Sequence, residues 1–160
     1  MGIQKKYLLF LVNKIPIYIL FDEKRIYQTT MVKPLNFPET HFAPGWLQEI
    51  ILMRLSSKDI LPYLYLEQLS SFSKAVLSAV LDISSGNAAP YSQVANHIGK
   101  PKAVRAVGSS LAKNPIPYII PCHRIIKKNR QIGCYIWGSE IKSLLLVNEK
   151  NNKIQIDIPK

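Results

Sequence analysis

Residues 114–126, NPIPYIIPCHRII, decide how this chain is interpreted. They place Cys122 between a proline and a histidine, with apolar residues on both sides. Burial alone raises the pKa of a thiol and leaves it inert, so a reactive cysteine needs a base or a positive charge nearby. His123 supplies a titratable imidazole and Arg124 a permanent positive charge. The stretch predicts a reactive cysteine or, as the plainer alternative, a structural cysteine buried beside a hydrogen-bonded histidine.

Helical patterns precede this stretch. The apolar spacing over residues 70–83 predicts a helix. A second helix follows, with Ser92 as its predicted N-cap and Gly99 suited to end it. A third is predicted over 102–113. Two short helices joined by a glycine-containing turn are typical of a helix-turn-helix.

The helix predicted over 102–113 has two different faces. Val104, Val107 and Leu111 form an apolar stripe that we expect in the core. The other face has basic side chains at its two ends and small side chains between them. It consists of Lys102, Arg105, Ala106, Ser109 and Lys113. Small side chains allow a helix backbone to approach the wall of a groove closely. The alternative is an ordinary solvated face.

The first sixty residues have a different pattern. Three short β-rich runs occupy 7–12, 15–21 and 25–32, and a helical period begins at Trp46 and ends near Lys58. We expect a small antiparallel sheet covered by one helix. The predicted division is an α+β supporting domain over 1–66 and a mostly helical domain over 67–160.

Composition limits the classes of partner. The chain has 160 residues and a formal net charge of +11, with 8 basic and 5 acidic residues in 1–66 against 13 and 5 in 67–160. This surplus favours a polyanionic partner, with nucleic acid ahead of a membrane surface. Two cysteines make no disulfide framework, and their spacing with histidine is not that of a zinc finger, so we expect a reducing cytosol and no metal. No apolar run approaches 18 residues, so we expect no membrane span.

The motifs of the second half resemble those of the O6-alkylguanine-DNA alkyltransferase family, the methylated-DNA–protein-cysteine methyltransferases. The similarity begins with IPCHRI at 120–125. It continues through PYSQVA at 90–95, KAVRAVG at 102–108, Asn114-Pro115, GCY at 133–135 and the segment 144–149. Together these motifs span about residues 67–153, whereas 1–60 show no clear match. The resemblance implies an N-terminal ribonuclease H-like α+β domain and a C-terminal winged-helix-like domain with a helix-turn-helix.

The resemblance also implies a set of chemical roles. Cys122 takes the alkyl group from guanine O6 and is held as a thiolate in a cleft that an everted purine can enter. His123 acts as its base through a water molecule and is oriented by Glu149. Asn114 holds the turn before the cysteine, and Tyr91 donates to the leaving guanine. The implied partner is double-stranded DNA containing O6-alkylguanine.

Further residues are implied to bind DNA or shape the pocket. Arg105 replaces the flipped nucleotide in the duplex. The minor-groove face around it consists of Lys102, Ala103, Ala106, Gly108 and Ser109. The implied substrate pocket contains Ile125, Tyr135, Ile136 and Trp137. The protein is expected to act once, as a monomer without a cofactor, in the cytoplasm or, in a eukaryote, the nucleus.

Some residues depart from the family pattern, and other functions stay open. Ile136 and Trp137 are bulkier than the residues that the family usually has at these positions, so we expect Trp137 to reshape the alkyl pocket or only to pack against the domain. Cys134 is expected near the pocket, as a disulfide partner for oxidised Cys122 or as a passive loop residue.

Three alternative functions stay open. They are a non-catalytic binder of alkylated DNA, a helix-turn-helix regulator, and a cysteine hydrolase built on Cys122, His123 and Glu149.

Overall fold

An antiparallel sheet forms the first part of the chain, as predicted. The computed structural model describes residues 4–159. Strands β1 (Lys6–Val12), β2 (Ile15–Phe21) and β3 (Ile26–Thr30) pair as consecutive antiparallel neighbours. The turn between β1 and β2 consists of Asn13 and Lys14, both with positive φ, which matches the right-handed twist of a tight hairpin.

A fourth strand comes from the far end of the chain. Strand β6 (Ile156–Asp157) pairs with β1, so the sheet order is β3-β2-β1-β6. The Asn13 side chain reinforces this pairing by donating to the Lys153 carbonyl at 2.8 Å. The predicted second domain over 67–160 includes these last residues, although they pair with the first sheet. A strand of two residues has no alternation that a sequence pattern can reveal. The boundary at residue 66 stays a prediction.

The helix that covers the sheet is shorter than predicted. Helix α1 (Gly45–Ile51) buries Leu47, Ile50 and Ile51. It does not continue to Lys58, because Met53 adopts a left-handed conformation with φ of 55°. A separate short helix, α2 (Ser57–Ile60), follows and leads into a 3₁₀ turn at Leu61–Tyr63.

Helices dominate the second part. The elements in chain order are α3 (Ser71–Leu81), β4 (Ala89–Pro90), α4 (Tyr91–His97), α5 (Val104–Ala112), a 3₁₀ turn (Cys122–Arg124), β5 (Ile125–Ile126) and α6 (Ser139–Lys150). Gly99 follows α4 with φ of 69°, as its predicted role in ending the helix requires. The predicted starts of two helices are wrong. Ser92 is not an N-cap because α4 already begins at Tyr91, and α5 begins two residues later than predicted.

The buried face of α5 differs from the predicted apolar stripe. Val107 and Leu111 are buried, but Val104 is 37% exposed because it occupies the first helical position. Ser110 takes the remaining place in the core, where its hydroxyl lies 3.0 Å from that of Ser73 on α3. The two hydroxyls satisfy each other, so α5 packs against α3 without an unpaired polar group.

One continuous core joins the two parts into an α+β fold with a small antiparallel sheet. The ring of Phe10 on β1 packs against that of Tyr118, with centroids 5.9 Å apart. On β3, the Thr29 hydroxyl donates to the Pro117 carbonyl at 2.5 Å and its backbone N–H donates to the Pro115 carbonyl at 3.1 Å. The sheet thus supports the loop that leads to Cys122. Within residues 4–159, no helix has the length and apolar character needed to cross a bilayer.

The buried hydrogen bond from Thr29 gives a prediction about stability. Thr29→Val keeps the shape of the side chain but leaves the Pro117 carbonyl without this donor, so unfolding should become about 1–2 kcal/mol easier in urea titrations. Thr30→Val, on the more exposed face of the same strand, serves as the control and should change stability by about 0.5 kcal/mol or less. Equal effects of the two substitutions would contradict this role of Thr29.

Candidate active site

The turn that carries Cys122 is held by the side chain of Asn114. The Asn114 amide donates to the Ile120 carbonyl at 3.1 Å and to Cys122 Sγ at 3.2 Å. Its oxygen accepts from the Ile116 backbone N–H at 3.0 Å. Because Asn114 is buried and its three side-chain hydrogen bonds stay within this loop, it sets the position of the sulfur.

Behind Cys122 lies a buried network centred on one carboxylate. Glu149 on α6 accepts from His123 Nε2 at 2.8 Å and from Arg124 Nη2 at 2.8 Å and Nε at 3.0 Å. Burial by itself would raise the pKa of Glu149, but the hydrogen bonds from His123 and Arg124 outweigh it and lower the pKa to about 2. Arg124 also donates to the Ile83 carbonyl at 2.6 Å, so the network is anchored to the end of α3.

The ionised carboxylate determines the tautomer of His123. A carboxylate only accepts hydrogen bonds, so Nε2 carries the proton and Nδ1 keeps its lone pair. Burial lowers the pKa of His123, although Glu149 opposes this effect, and the imidazole is therefore neutral at pH 7. Its Nδ1 is buried and has no hydrogen-bond partner among the described residues. The site thus holds a neutral base with a free acceptor.

The expectation that Cys122 rests as a thiolate is wrong. Its side chain is 6% exposed, and burial raises the pKa of the thiol to about 11 despite the opposing effects of the Asn114 amide and the Lys142 ammonium. Desolvation penalises the thiolate more strongly than these partners stabilise it. The sulfur therefore carries a proton at neutral pH and needs a base to become a nucleophile.

Lys142 is a buried charged residue near Cys122 that sequence reasoning missed. Its side chain is buried, and its Nζ donates to the carbonyls of Ile125 at 2.5 Å and Cys134 at 3.2 Å. Burial lowers the pKa of the ammonium to about 8, so it is still mainly charged at pH 7. A signal was present, because Lys142 and Glu149 lie two helical turns apart on the buried face of α6.

A cavity of about 190 Å³ opens onto the sulfur. Its walls come from four parts of the chain and consist of Tyr91, Gly108, Leu111, Ala112, Cys122, Cys134, Tyr135 and Ile136. The parallel pairing of β4 with β5 brings Tyr91, at the start of α4, beside the cysteine turn. Burial raises the pKa of Tyr91, so its hydroxyl stays a hydrogen-bond donor.

Two of the four predicted pocket residues do not line this cavity. Ile125 is fully buried, and its carbonyl already accepts from Lys142. Trp137 packs edge-on against the ring of Tyr135, with centroids 5.8 Å apart, so it contributes to the wall only through Tyr135. Cys134 does line the cavity, as expected, while its redox role stays a prediction.

The predicted DNA-binding face lies on the same helix as one wall of the cavity. This face includes α5 and the two residues that precede it. Its exposed members are Lys102, Arg105, Ala106 and Ser109, and its half-buried members are Ala103 and Gly108. Gly108 belongs both to this face and to the cavity lining. In the described part of the chain, no three side chains of His, Cys, Asp or Glu are grouped closely enough to hold a metal ion.

Comparisons with known proteins agree on one family. Residues 71–151 match the sequence model of the 6-O-methylguanine DNA methyltransferase DNA-binding domain. An inducible methylated-DNA–protein-cysteine methyltransferase of Bacillus subtilis is 43% identical over 90 residues, which cover 56% of this chain and 50% of that protein. A Saccharomyces cerevisiae protein of the same name is 37% identical over 87 residues, covering 54% and 46%. The chain spans about half the length of the curated relatives that it matches.

Solved structures extend the similarity to most of the chain. Mycobacterium tuberculosis OGT in complex with DNA is 27% identical, with a TM-score of 0.72, and the match covers 91% of this chain and 93% of that one. A methyltransferase of Pyrococcus kodakaraensis, at 20% identity and a TM-score of 0.70, shares the fold. The match of the family model to half of the chain confirms the resemblance: this protein belongs to the 6-O-methylguanine DNA methyltransferase family.

Proposed function

We propose that this protein repairs DNA by transferring an alkyl group from guanine O6 to the sulfur of Cys122. The observation that carries this proposal is that one cavity contains both Cys122 and a wall of α5, the helix with the exposed basic and small side chains. A base drawn from a duplex against α5 would thus arrive at the sulfur directly. The family membership and the DNA-bound relative support the same assignment.

The proposed partner is double-stranded DNA containing O6-alkylguanine. Lys102 and the other exposed basic residues of 67–160 would neutralise phosphates, while Ala106 and Ser109 let α5 approach the minor groove. An alkyl group on O6 is inaccessible within the base stack, so the nucleotide must be flipped out at a cost of a few kcal/mol. The Arg105 side chain would offset part of this cost by filling the gap.

The chemistry follows from the neutral imidazole and the protonated thiol. A water molecule takes the thiol proton and passes one to His123 Nδ1, and the imidazolium is stabilised by Glu149. The sulfur attacks the alkyl carbon, a C–S bond forms, and the electron pair of the broken C–O bond stays on guanine. Tyr91 gives its proton to a ring nitrogen, so guanine leaves neutral. The proton held by His123 returns through solvent to Tyr91, and both side chains are then neutral again. Since a thioether is not readily cleaved, each molecule acts once and no cofactor takes part.

The same proposal covers the fold types of the two domains, the contacts to the guanine amine, the oligomeric state and the cellular location. The antiparallel sheet with its helix supports a ribonuclease H-like first domain, and the α4–α5 pair beside β4 and β5 supports a winged-helix-like second domain with a helix-turn-helix. The carbonyl of Cys122, a residue that lines the cavity, would accept from the guanine amine, since an oxygen that already accepts from the Ile125 N–H keeps a second lone pair. We place the protein as a monomer in the cytoplasm, or in the nucleus of a eukaryote.

Intact-protein mass spectrometry tests the proposed function. After incubation with a duplex that contains O6-methylguanine, the mass should rise by one methyl group, located on the peptide with Cys122. Cys134→Ala, the matched cysteine control, should still gain the methyl group, whereas Cys122→Ala should gain nothing. An unchanged mass of the wild-type protein would refute alkyl transfer, and a binder or a helix-turn-helix regulator would give that result.

The pH dependence of transfer depends on two buried groups. His123 must be neutral, and its lowered pKa places the acid limb of the rate below pH 6.5. Lys142 must be charged to stabilise the developing thiolate. Because its pKa is lowered to about 8, the transfer rate should fall above pH 8 rather than near pH 10.5, the ordinary pKa of a lysine. Single-turnover rates should therefore be level between these limits. Lys142→Met should be about tenfold slower at pH 7 and should lose the alkaline limb. An alkaline limb retained in Lys142→Met would contradict this role.

The Arg105→Ala variant distinguishes the step that flips the nucleotide out of the duplex from the step that transfers the alkyl group. The variant should transfer methyl groups from duplex DNA at least about tenfold more slowly, because nothing then offsets the cost of unstacking. Transfer from a free alkylguanine base should be unaffected, because no stack has to be opened. Lys102→Ala is the charge-matched control and should weaken duplex binding in a salt-dependent way without slowing transfer at saturation. Equal losses on the free base and the duplex would assign Arg105 a different role.

A further inference from the structure

A turn with three basic residues lies next to the cavity. It consists of residues 127–130, Lys-Lys-Asn-Arg, which directly follow β5, and we call it the basic turn. All four residues are exposed, and none of the three cations forms an ion pair with a carboxylate of residues 4–159. Three like charges within four residues repel one another, so the basic turn favours an anionic partner.

The backbone of the basic turn is closed by hydrogen bonds. The Arg130 N–H donates to the Lys127 carbonyl, and the Lys127 N–H donates to the Gln131 carbonyl, both at 2.9 Å. The Asn129 side chain accepts from the Gln131 N–H at 3.1 Å. These bonds keep the three basic residues together in a defined turn.

Arg130 occupies a backbone conformation that glycine favours. Its φ is 63°, in the left-handed region, where a residue with a Cβ is less stable than glycine. The arginine therefore lowers the stability of the turn, while its side chain stays exposed and gains no ion pair with the rest of the described chain. A charge held in a strained conformation without such a return indicates a role in binding.

Tyr91 connects the basic turn to the DNA-binding face of α5. A Cβ added at Gly108 of α5 would lie 3.7 Å from the edge of the Tyr91 ring, and one added at Gly133 would lie 3.6 Å from the Tyr91 hydroxyl. The same Cβ at Gly133 would lie 3.5 Å from Cγ of Lys127. Because β5 pairs in parallel with β4, the strand that leads into Tyr91, the basic turn follows at the same end of this pair. Tyr91, which lines the cavity, thus borders α5 at its ring and the basic turn at its hydroxyl.

We propose that the basic turn is a second DNA contact, which binds phosphates of the strand that carries the flipped nucleotide. The inference rests on the proposed function, because that function places the flipped guanine beside Tyr91. The phosphates next to this nucleotide then pass the mouth of the cavity, where the long basic side chains of the turn meet them. Lysine binds a phosphate as a point charge, and arginine binds it with two parallel hydrogen bonds. The basic turn holds the backbone of the flipped strand while α5 occupies the minor groove.

Arg130→Gly tests the inference because it removes a charge and relieves the backbone at the same time. The Tm should rise, since glycine adopts the left-handed conformation without strain. The affinity for a duplex that contains O6-methylguanine should nevertheless fall, and the slope of log K against log salt should become less steep by about 0.9, the effect of one lost phosphate contact. Lys128→Ala in addition should reduce the slope by a similar amount. Binding is measured in a Cys122→Ala background, in which no alkyl group is transferred.

Lys14→Gly is the matched control. Lys14 is also an exposed basic residue with a positive φ, 68°, but it lies in the hairpin between β1 and β2 and not in the cavity wall. Its replacement should likewise raise the Tm, and it should leave the salt dependence of duplex binding unchanged. With Cys122 present, transfer from a free alkylguanine base should be the same in every variant, because a free base has no phosphates.

Two results would overturn the inference. One is an Arg130→Gly protein that binds the methylated duplex with the salt slope of the unsubstituted turn. The other is an equal change of slope in Lys14→Gly, which would assign the effect to net charge alone. Failure of the wild-type protein to transfer any methyl group would instead overturn the proposed function, and the comparison of salt slopes would still decide whether the basic turn binds DNA.

Discussion

The arrangement of the site depends on the buried carboxylate of Glu149. It accepts hydrogen bonds from both His123 and Arg124, and it holds them because a buried carboxylate without such donors would be costly. Through His123 it decides which imidazole nitrogen is free to act as a base. Through Arg124 and the Ile83 carbonyl it links α6 and the cysteine turn to the end of α3. One charge thus couples the chemistry of the site to the packing of the domain.

The resting state of the site is neutral where it faces the substrate. The thiol keeps its proton because burial outweighs Asn114 and Lys142, and the imidazole stays neutral for the same reason. A nucleophile that forms only when its proton is removed is protected from unrelated electrophiles, since the thiolate is the reactive species. Lys142 then matters during transfer, when negative charge develops on sulfur.

Sequence reasoning succeeded where local patterns carry the information. The three N-terminal strands follow from their β-rich runs, and the motifs around Cys122 lead to the right family. Sequence reasoning failed where the exposure or the protonation state of a side chain depends on its burial. The exposure of Val104, the burial of Ser110 and the protonated thiol all depend on how α3, α5 and the cysteine turn pack, which no spacing along the chain specifies. Lys142 was missed because a lysine on an amphipathic helix is ordinarily solvated.

Nitrogen NMR of His123 in the free protein tests the central claim most directly, because the two nitrogens report where the protons lie. The account predicts a neutral imidazole at pH 7 with its proton on Nε2, facing Glu149, next to a Cys122 that is still a thiol. An imidazolium at that pH, paired with a thiolate, would contradict it.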